Sequence, residues 1–511
     1  TGIVGLMTLL SRILGFVRDI LFAAVFGAGP AMDVFLLALK IPNFGRRVFA
    51  EGALSQAFVP VFTEVKSAGD PAEVRKLFDV VAGTLGGVLA LITLVGCLAA
   101  PFLVWIFAPG IATDPDRHAL ATELLRWTFP YLMLISLTAL AGGVLNTYGR
   151  FAVPAATPVI LNLCLIGAVF IDGESVHVLA IAVFVAGIAQ LAFQLPWLGR
   201  IGLWPRPRWG GSDLRVRKIV RLMGPIVFGS SVAQISLLLD TVIASLLFAG
   251  SLSWLYYADR LMEFPLGIFS IALATVILPS LSAEHVAKSA ERFSATLDWA
   301  LRLLILIGVP ATAGLILLAG PLVSTLFQHG EFGLRDLDMT RWSLMAYAFA
   351  FFGISSVKVL VPAFYARQET SIPVRYAVIA LLSGMGISIV IVGVSVLMEW
   401  SAPHVGLACA TSASSLLNGT LLYRRLRRDG IYRPGAEWGA YLLKIGLALM
   451  VMVALVWYLA GSIQSWSDAV LSERVWRLAG IVLSAAASYF GVLWLLGVRP
   501  RQFRLAQVIK P

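Results

Sequence analysis

Apolar runs of about 18 residues or more recur along the whole 511-residue chain, and this confines the fold to one class. In a bilayer core every backbone N–H and C=O must find its partner inside the protein. A chain with many such runs therefore folds as membrane-crossing α-helices. Breaking the sequence at Gly, Pro and charge clusters gives about fourteen spans: 2–26, 31–65, 77–106, 119–147, 153–171, 176–198, 219–247, 254–283, 297–319, 340–364, 372–397, 404–423, 437–460 and 476–497. The second is longer than a bilayer needs; Pro42 and Gly45 are expected to kink it, with its end projecting into the cytoplasm. Only 13% of residues are charged, against about 25% in a typical soluble domain, and no long polar stretch remains for one. The expectation is an all-α polytopic membrane protein.

The first span is too long and too charged for a signal peptide, and no small-residue cleavage site follows it. The chain opens on Thr1, so a few residues are expected to precede it. Orientation follows from Lys and Arg in alternate loops. One set holds nearly all of them, among them Lys66, Arg75, Arg150, Arg206, Arg208, Arg215, Lys218 and the Arg424–Arg428 cluster; the other holds only Arg117, Arg335, Arg474 and Arg477. Both termini are expected in the cytoplasm. The same asymmetry accounts for the net charge of +11: the cations face lipid headgroups, and a nucleic-acid partner is not expected. Trp105, Trp127, Trp197, Trp204, Trp254, Trp400 and Trp438 fall near span ends, as an interfacial aromatic belt would. Cys97, Cys164 and Cys409 lie in apolar helices without disulfide or metal spacing.

The chain repeats itself at an offset of roughly 218 residues. AFVPVFTEV at 57–65 is echoed by TVILPSLSAE at 275–284, AEVRKLFD at 72–79 by AERFSATLD at 290–298, and APFLVWIFAPG at 100–110 by AGPLVSTLFQHG at 319–330. Each repeat holds six spans. An even number gives both copies the same orientation, related by an axis along the membrane normal. The expected organisation is an N-terminal six-helix lobe at 1–200, a second at 201–430, and two extra helices with a cytoplasmic tail at 431–511.

Charges inside the first two spans are the candidate functional residues. A charge at mid-membrane costs roughly 2.5–3.5 kcal/mol on insertion scales, so it persists where it faces a hydrated cavity and acts there. Asp33, Lys40, Arg47 and Glu51 are seven, seven and four residues apart and fall within about 40° on one helix face; Arg46 points elsewhere. Arg12 and Asp19 share a face of the first span, flanked by Arg18, and the eighth span begins with Asp259, Arg260 and Glu263. The balance is positive. Arginine's planar fork donates to two phosphate oxygens at once and stays charged in any environment, so the cavity suits a phosphate or pyrophosphate. The competing reading is that these charges pair to staple helices.

Asp240 is a lone carboxylate in the seventh span, a candidate for a coupling cation or a proton. A cation needs several oxygen ligands, and the eleventh span offers only serines, so a hydrogen-bonded or protonated carboxylate is the equal alternative. No Walker A pattern, zincin motif or nucleophile elbow occurs, which leaves enzyme readings little support.

SRILGFVRDILFAAVFGAG at 11–29, DVFLLALKIPNFGRRVFAEGALSQAFVPVF at 33–62 and SWLYYADRLMEFPLGIF at 253–269 resemble the MurJ (MviN) lipid II flippases of the multidrug/oligosaccharidyl-lipid/polysaccharide exporter superfamily. The resemblance implies two six-helix lobes plus two C-terminal helices, in the bacterial cytoplasmic membrane. It implies movement of the lipid-linked peptidoglycan precursor from the inner to the outer leaflet by alternating access. It places important cavity charges on Arg12, Arg18, Asp19, Asp33, Arg46, Glu51 and Arg260, and assigns 437–497 a groove for the lipid tail. Lipid II and membrane lipids are the expected partners of a monomer without a resident cofactor. Drive by the membrane potential, H+ or Na+ stays open at this level; Asp240 matches half of a sodium site, and the eleventh span departs from the rest. A flippase for another polyprenyl-linked oligosaccharide and a drug/cation antiporter are the alternatives, and a carboxylate-rich cavity would mark the latter.

Overall fold

The computed structural model describes residues 2–48, 54–287, 289–435 and 437–499, with the side chains of 55, 228–233, 236 and 268–276 outside the description. Glu51, part of the expected charged face, lies outside the described residues. The described residues form helices and connecting turns, without a strand. They divide into two compact units, 1–253 with 330–332, and 254–329 with 333–511.

The first unit holds α1 (Gly2–Phe26), α2 (Pro30–Gly45), α3 (Ser55–Ser67), α4 (Pro71–Leu98), α5 (Ala100–Phe107), α6 (Pro109–Ala112), α7 (Pro115–Thr128), α8 (Tyr131–Thr147), α9 (Ala152–Ile171), α10 (His177–Arg200) and α11 (Leu214–Ser245). α1 packs on α9, α9 on α10, α10 on α8, and α2 on α7. Helix starts are written in the sequence. Asp70 and Asp114 each precede a proline, and each side chain accepts a backbone N–H of the first turn (from Ala72, and from Asp116 and Arg117). The proline has no N–H to leave unpaired at that position. The expected second span is two helices. α2 stops at Gly45, three residues after Pro42, and widens into a π-type turn over 46–48 before α3 begins.

The second unit holds α12 (Ser251–Val286), whose first three residues belong to the first unit, then α13 (Ala290–Leu317), α14 (Ala319–Leu326), α15 (Leu334–Tyr365), α16 (Ser371–Leu397), α17 (Val405–Arg428), α18 (Trp438–Ala460), α19 (Gln464–Ser467) and α20 (Leu471–Leu495). α15, α16 and α17 pack together; α18 pairs with α20 and rests on α13. A methyl group at Gly353 would run into the backbone of Leu416 and the side chain of Ser415, so glycine there sets the close approach of α15 and α17.

The repeat is visible in the helix breaks. α4 and α13 run over 71–98 and 290–317, and the short helices after them over 100–107 and 319–326, each pair displaced by about 219 residues.

Ten helical stretches among the described residues are long and apolar enough to cross a membrane: α4, α7 with α8, α9, α10, α13, α15, α16, α17, α18 and α20. Large apolar side chains such as Leu397, Tyr458 and Leu495 are about four-fifths exposed, as lipid-facing helices require. The expected spans outside this set are α1, α2, α11 and α12, the helices that carry the candidate charges. Trp254 departs from the expected belt. It is buried, donates from Nε1 to Asp336 Oδ1 at 2.8 Å, and stacks on His404 with ring centroids 4.9 Å apart. Its indole N–H has found an internal acceptor, so it does not serve as an interfacial anchor.

Candidate functional site

Arg18 lies in the apolar α1 and is only 8% exposed, with Asp19 beside it at 1%. Its Nε and Nη2 donate to Asp19 Oδ1 at 3.0 and 2.7 Å, and Nη1 donates to Asn162 Oδ1 at 3.0 Å. Asn162, on α9, donates through Nδ2 to the Ser11 carbonyl at 2.9 Å. The amide thus spends its oxygen on Arg18 and its nitrogen on the α1 backbone. The Arg18 guanidinium also stands 5.6 Å from the Phe22 ring centroid. A carboxylate, an amide and an aromatic face are among the groups that hold this cation. Arg12 is exposed, and the Asp19 carboxylate is engaged by Arg18.

The charged face of α2 meets α11 and the segment after it. Asp33 is buried and accepts three hydrogen bonds: Gly250 N to Oδ2 at 2.7 Å, Ser253 N to Oδ1 at 2.8 Å and Ser253 Oγ to Oδ1 at 2.7 Å. These are donors at the start of α12, where orphan N–H groups favour a carboxylate. Lys40 donates to Thr241 Oγ1 at 3.3 Å, and Arg47 reaches Gln234 Oε1 at 3.4 Å. Seven residues along α2 correspond to seven along α11, in antiparallel sense. The helical period gathered these three charges, and hydroxyl, amide and backbone groups are among their partners. Arg46 donates from Nε to Asn43 Oδ1 at 3.0 Å, one turn back on its own helix.

In the second unit Arg260 donates from Nη1 to Glu263 Oε2 at 2.8 Å and stands over Tyr256 at 4.9 Å. Both charged side chains remain over a third exposed, a pair that solvent screens. Asp240, on α11, lies within electrostatic reach of Lys40. Among the described residues no group of three or more His, Cys, Asp or Glu side chains is arranged to hold a metal. Sequence reading missed Asn162, Thr241, Gln234 and Ser253. Asn162 alone carried a signal, as the single amide in the apolar run of α9.

Comparison with known proteins covers nearly the whole chain. The family model described as lipid II flippase MurJ matches residues 22–499. A probable lipid II flippase MurJ of Haemophilus influenzae is 44% identical over 510 residues, covering 96% of this chain and 98% of that protein. Among solved structures, a lipid II flippase MurJ in an inward closed conformation superposes with a TM-score of 0.79 at 25% identity, over 96% of this chain and 98% of that one. An inward-facing multidrug resistance MATE family transporter of the MOP superfamily shares the fold at a TM-score of 0.64 and 14% identity, over 82% of this chain and 95% of that one.

Proposed function

Because the chain belongs to the lipid II flippase MurJ family, we propose that it moves lipid II, the lipid-linked peptidoglycan precursor, from the inner to the outer leaflet of the bacterial cytoplasmic membrane. It is a transporter and makes or breaks no covalent bond. The observation that carries this reading is the whole-length likeness, 44% identity across 96% of the chain.

The headgroup of such a lipid is a pyrophosphate bearing sugars and peptide. Arg12, Arg18, Lys40, Arg46 and Arg47 in the first unit and Arg260 in the second are the cations proposed to bind it, with Asp19, Asp33, Glu51 and Glu263 as the carboxylates that hold them between cycles. Arg18 supports this best: it is a forked donor kept within an apolar helix by partners that leave it charged and oriented. The proposed lobes are 1–200 and 201–430, with 431–511 as an addition, both termini cytoplasmic, and the working unit is a monomer. Alternating access between two similar lobes fits the repeated helix breaks. An inside-negative potential favours outward transfer of an anion by roughly 2.3 kcal/mol per charge per 100 mV, which drives the cycle without ATP. Asp240 is the group proposed to take H+ or Na+ if a cation is coupled.

The test is twofold. Expression of the chain in a flippase-depleted strain should restore growth, and Arg18→Ala and Arg260→Ala should abolish rescue at normal protein levels. Lipid II accessibility at the outer leaflet should fall when the membrane potential is collapsed. Full rescue by both alanine variants would remove the arginines from the mechanism.

A further inference from the structure

The connection from α10 to α11 does not project outward. Residues 203–210 lie as a strap along α4. Leu203 is buried in the core formed by α3, α4, α8 and the start of α11. Beyond it, Arg206 N donates to Asp79 Oδ1 at 2.9 Å, Arg208 N to Asp79 O at 3.0 Å, and Gly210 N to Thr84 Oγ1 at 3.1 Å. Asp79 is a buried carboxylate, and it accepts from this backbone. A methyl group at Gly83 would strike the Arg208 backbone, one at Gly210 would strike Val80, and one at Gly87 would press on the Trp209 ring. Small residues on both sides create the seat. From Asp79 to Gly87 the strap follows α4 for roughly 12 Å.

α4 is one of the helices long and apolar enough to cross a membrane. Irregular backbone beside such a helix is tolerated only where its polar groups are satisfied. The sequence WPRPRWG at 204–210 goes part of the way by carrying few N–H donors. Pro205 and Pro207 have no N–H, and the N–H groups of Arg206, Arg208 and Gly210 are spent on α4. Trp204 and Trp209 are 53% and 71% exposed. The side chains of Arg206 and Arg208 are exposed and make no hydrogen bond or ion pair with the described residues.

We propose that the strap 204–209 is a binding surface for anionic phospholipid headgroups, with Arg206 and Arg208 gripping the phosphate and Trp204 and Trp209 seated at the headgroup level. Two exposed guanidinium groups between two exposed indoles, fixed to the flank of a membrane-crossing helix, match a lipid's charged head and its apolar shoulder together. A free phosphate would use the arginines and leave the tryptophans idle. The strap's backbone hydrogen bonds run to α4, not to the charges of α1 and α2.

The full-length chain, reconstituted with a trace of photoactivatable phosphatidylglycerol or phosphatidylcholine, would be crosslinked and digested with pepsin. Peptides spanning 204–209 should carry the phosphatidylglycerol label and little of the phosphatidylcholine one. The double variant Arg206→Gln/Arg208→Gln should lose about fivefold per arginine, or about 25-fold, at limiting lipid. Labelling near Arg424–Arg428 should not change, and this internal control reports that the chain is folded. Arg206→Lys/Arg208→Lys should keep most of the signal. Equal labelling by both lipids, or undiminished labelling of the glutamine variant, overturns the proposal. Displacement of the label by a polyprenyl pyrophosphate at concentrations where phosphatidylglycerol fails to displace it also overturns it, since the strap would then serve the transported lipid.

Discussion

Asn162 joins Arg18 to the backbone of its own helix: its Oδ1 accepts Arg18 Nη1 at 3.0 Å, and its Nδ2 donates to the Ser11 carbonyl at 2.9 Å. One side chain on α9 thereby fixes both the direction of the guanidinium and the height at which α1 and α9 meet.

Asn162→Leu should therefore lower stability by about 1–3 kcal/mol, because it removes the acceptor of a buried guanidinium N–H and the amide's bond to α1. Arg18→Lys keeps the charge and loses the fork, so it should fail to rescue a flippase-depleted strain even where the protein accumulates normally. Thermal unfolding in detergent and the growth assay read the two effects separately. Full rescue by the lysine variant would show that charge alone suffices.

Asp33→Asn replaces one of two acceptor oxygens by an NH2 group. Its oxygen can keep Ser253, and the new NH2 then faces Gly250 N–H, donor against donor. The expected loss is about 1–3 kcal/mol, against about 1 kcal/mol for Ser253→Ala, which removes one hydroxyl donor. Melting temperatures should rank wild type above Ser253→Ala above Asp33→Asn; the reverse order of the two variants would contradict this account.

Arg474 is buried on α20 and bound to carbonyls: Nε to Ala469 O at 2.8 Å, Nη1 to Ser324 O at 2.9 Å, and Nη2 to Ser467 O at 2.6 Å. A lysine cannot reach acceptors spread over α14, α19 and the link before α20. Arg474→Lys should cost about 3 kcal/mol, on the scale of a lost charged hydrogen bond. Detergent melting of the purified variant checks the figure, and a loss near zero would refute it.

Tyr432, in the link between α17 and α18, is 2% exposed, and burial pushes its phenol well above the usual range, helped by donation to Asp298 Oδ1 at 2.7 Å. The sign follows from proton binding. Below pH 10 both folded and unfolded forms hold the proton, and the contribution is complete. Above it the unfolded chain ionises and the folded one does not, so stability falls as pH rises. The difference between wild type and Tyr432→Phe should be constant to about pH 10 and then shift against wild type by about 1.4 kcal/mol per pH unit. A difference that stays flat to pH 11 would rule this out.

Apolar length and helical period made the helices and the charged face of α2 legible in the chain. Lys40 and Arg47 sit seven residues apart, and that spacing alone brings both onto α11. Arg12 and Asp19 show where period stops deciding. Seven residues apart, they share a face, yet one is exposed and the other buried, because Asp19 is paired with Arg18, which Asn162 holds from 144 residues away in the chain. The break after Leu98 lies inside an unbroken apolar run, so apolar length hides it although Pro101 opens the next helix. The strap on α4 was hidden for a related reason: WPRPRW reads as a loop until Asp79 supplies the acceptors.

The C-terminal hairpin is fastened at both ends. At one end Trp438 Nε1 and Tyr432 Oη meet on Asp298 Oδ1, while Tyr441 Oη binds the Arg302 carbonyl. At the other, Arg474 grips α14, and Arg477 binds the Ala460 carbonyl at 2.9 Å. A hairpin pinned at root and tip cannot swing open like a flap. It must travel with α13 and α14 as one piece, so an acyl chain passing beside it would slide along a wall.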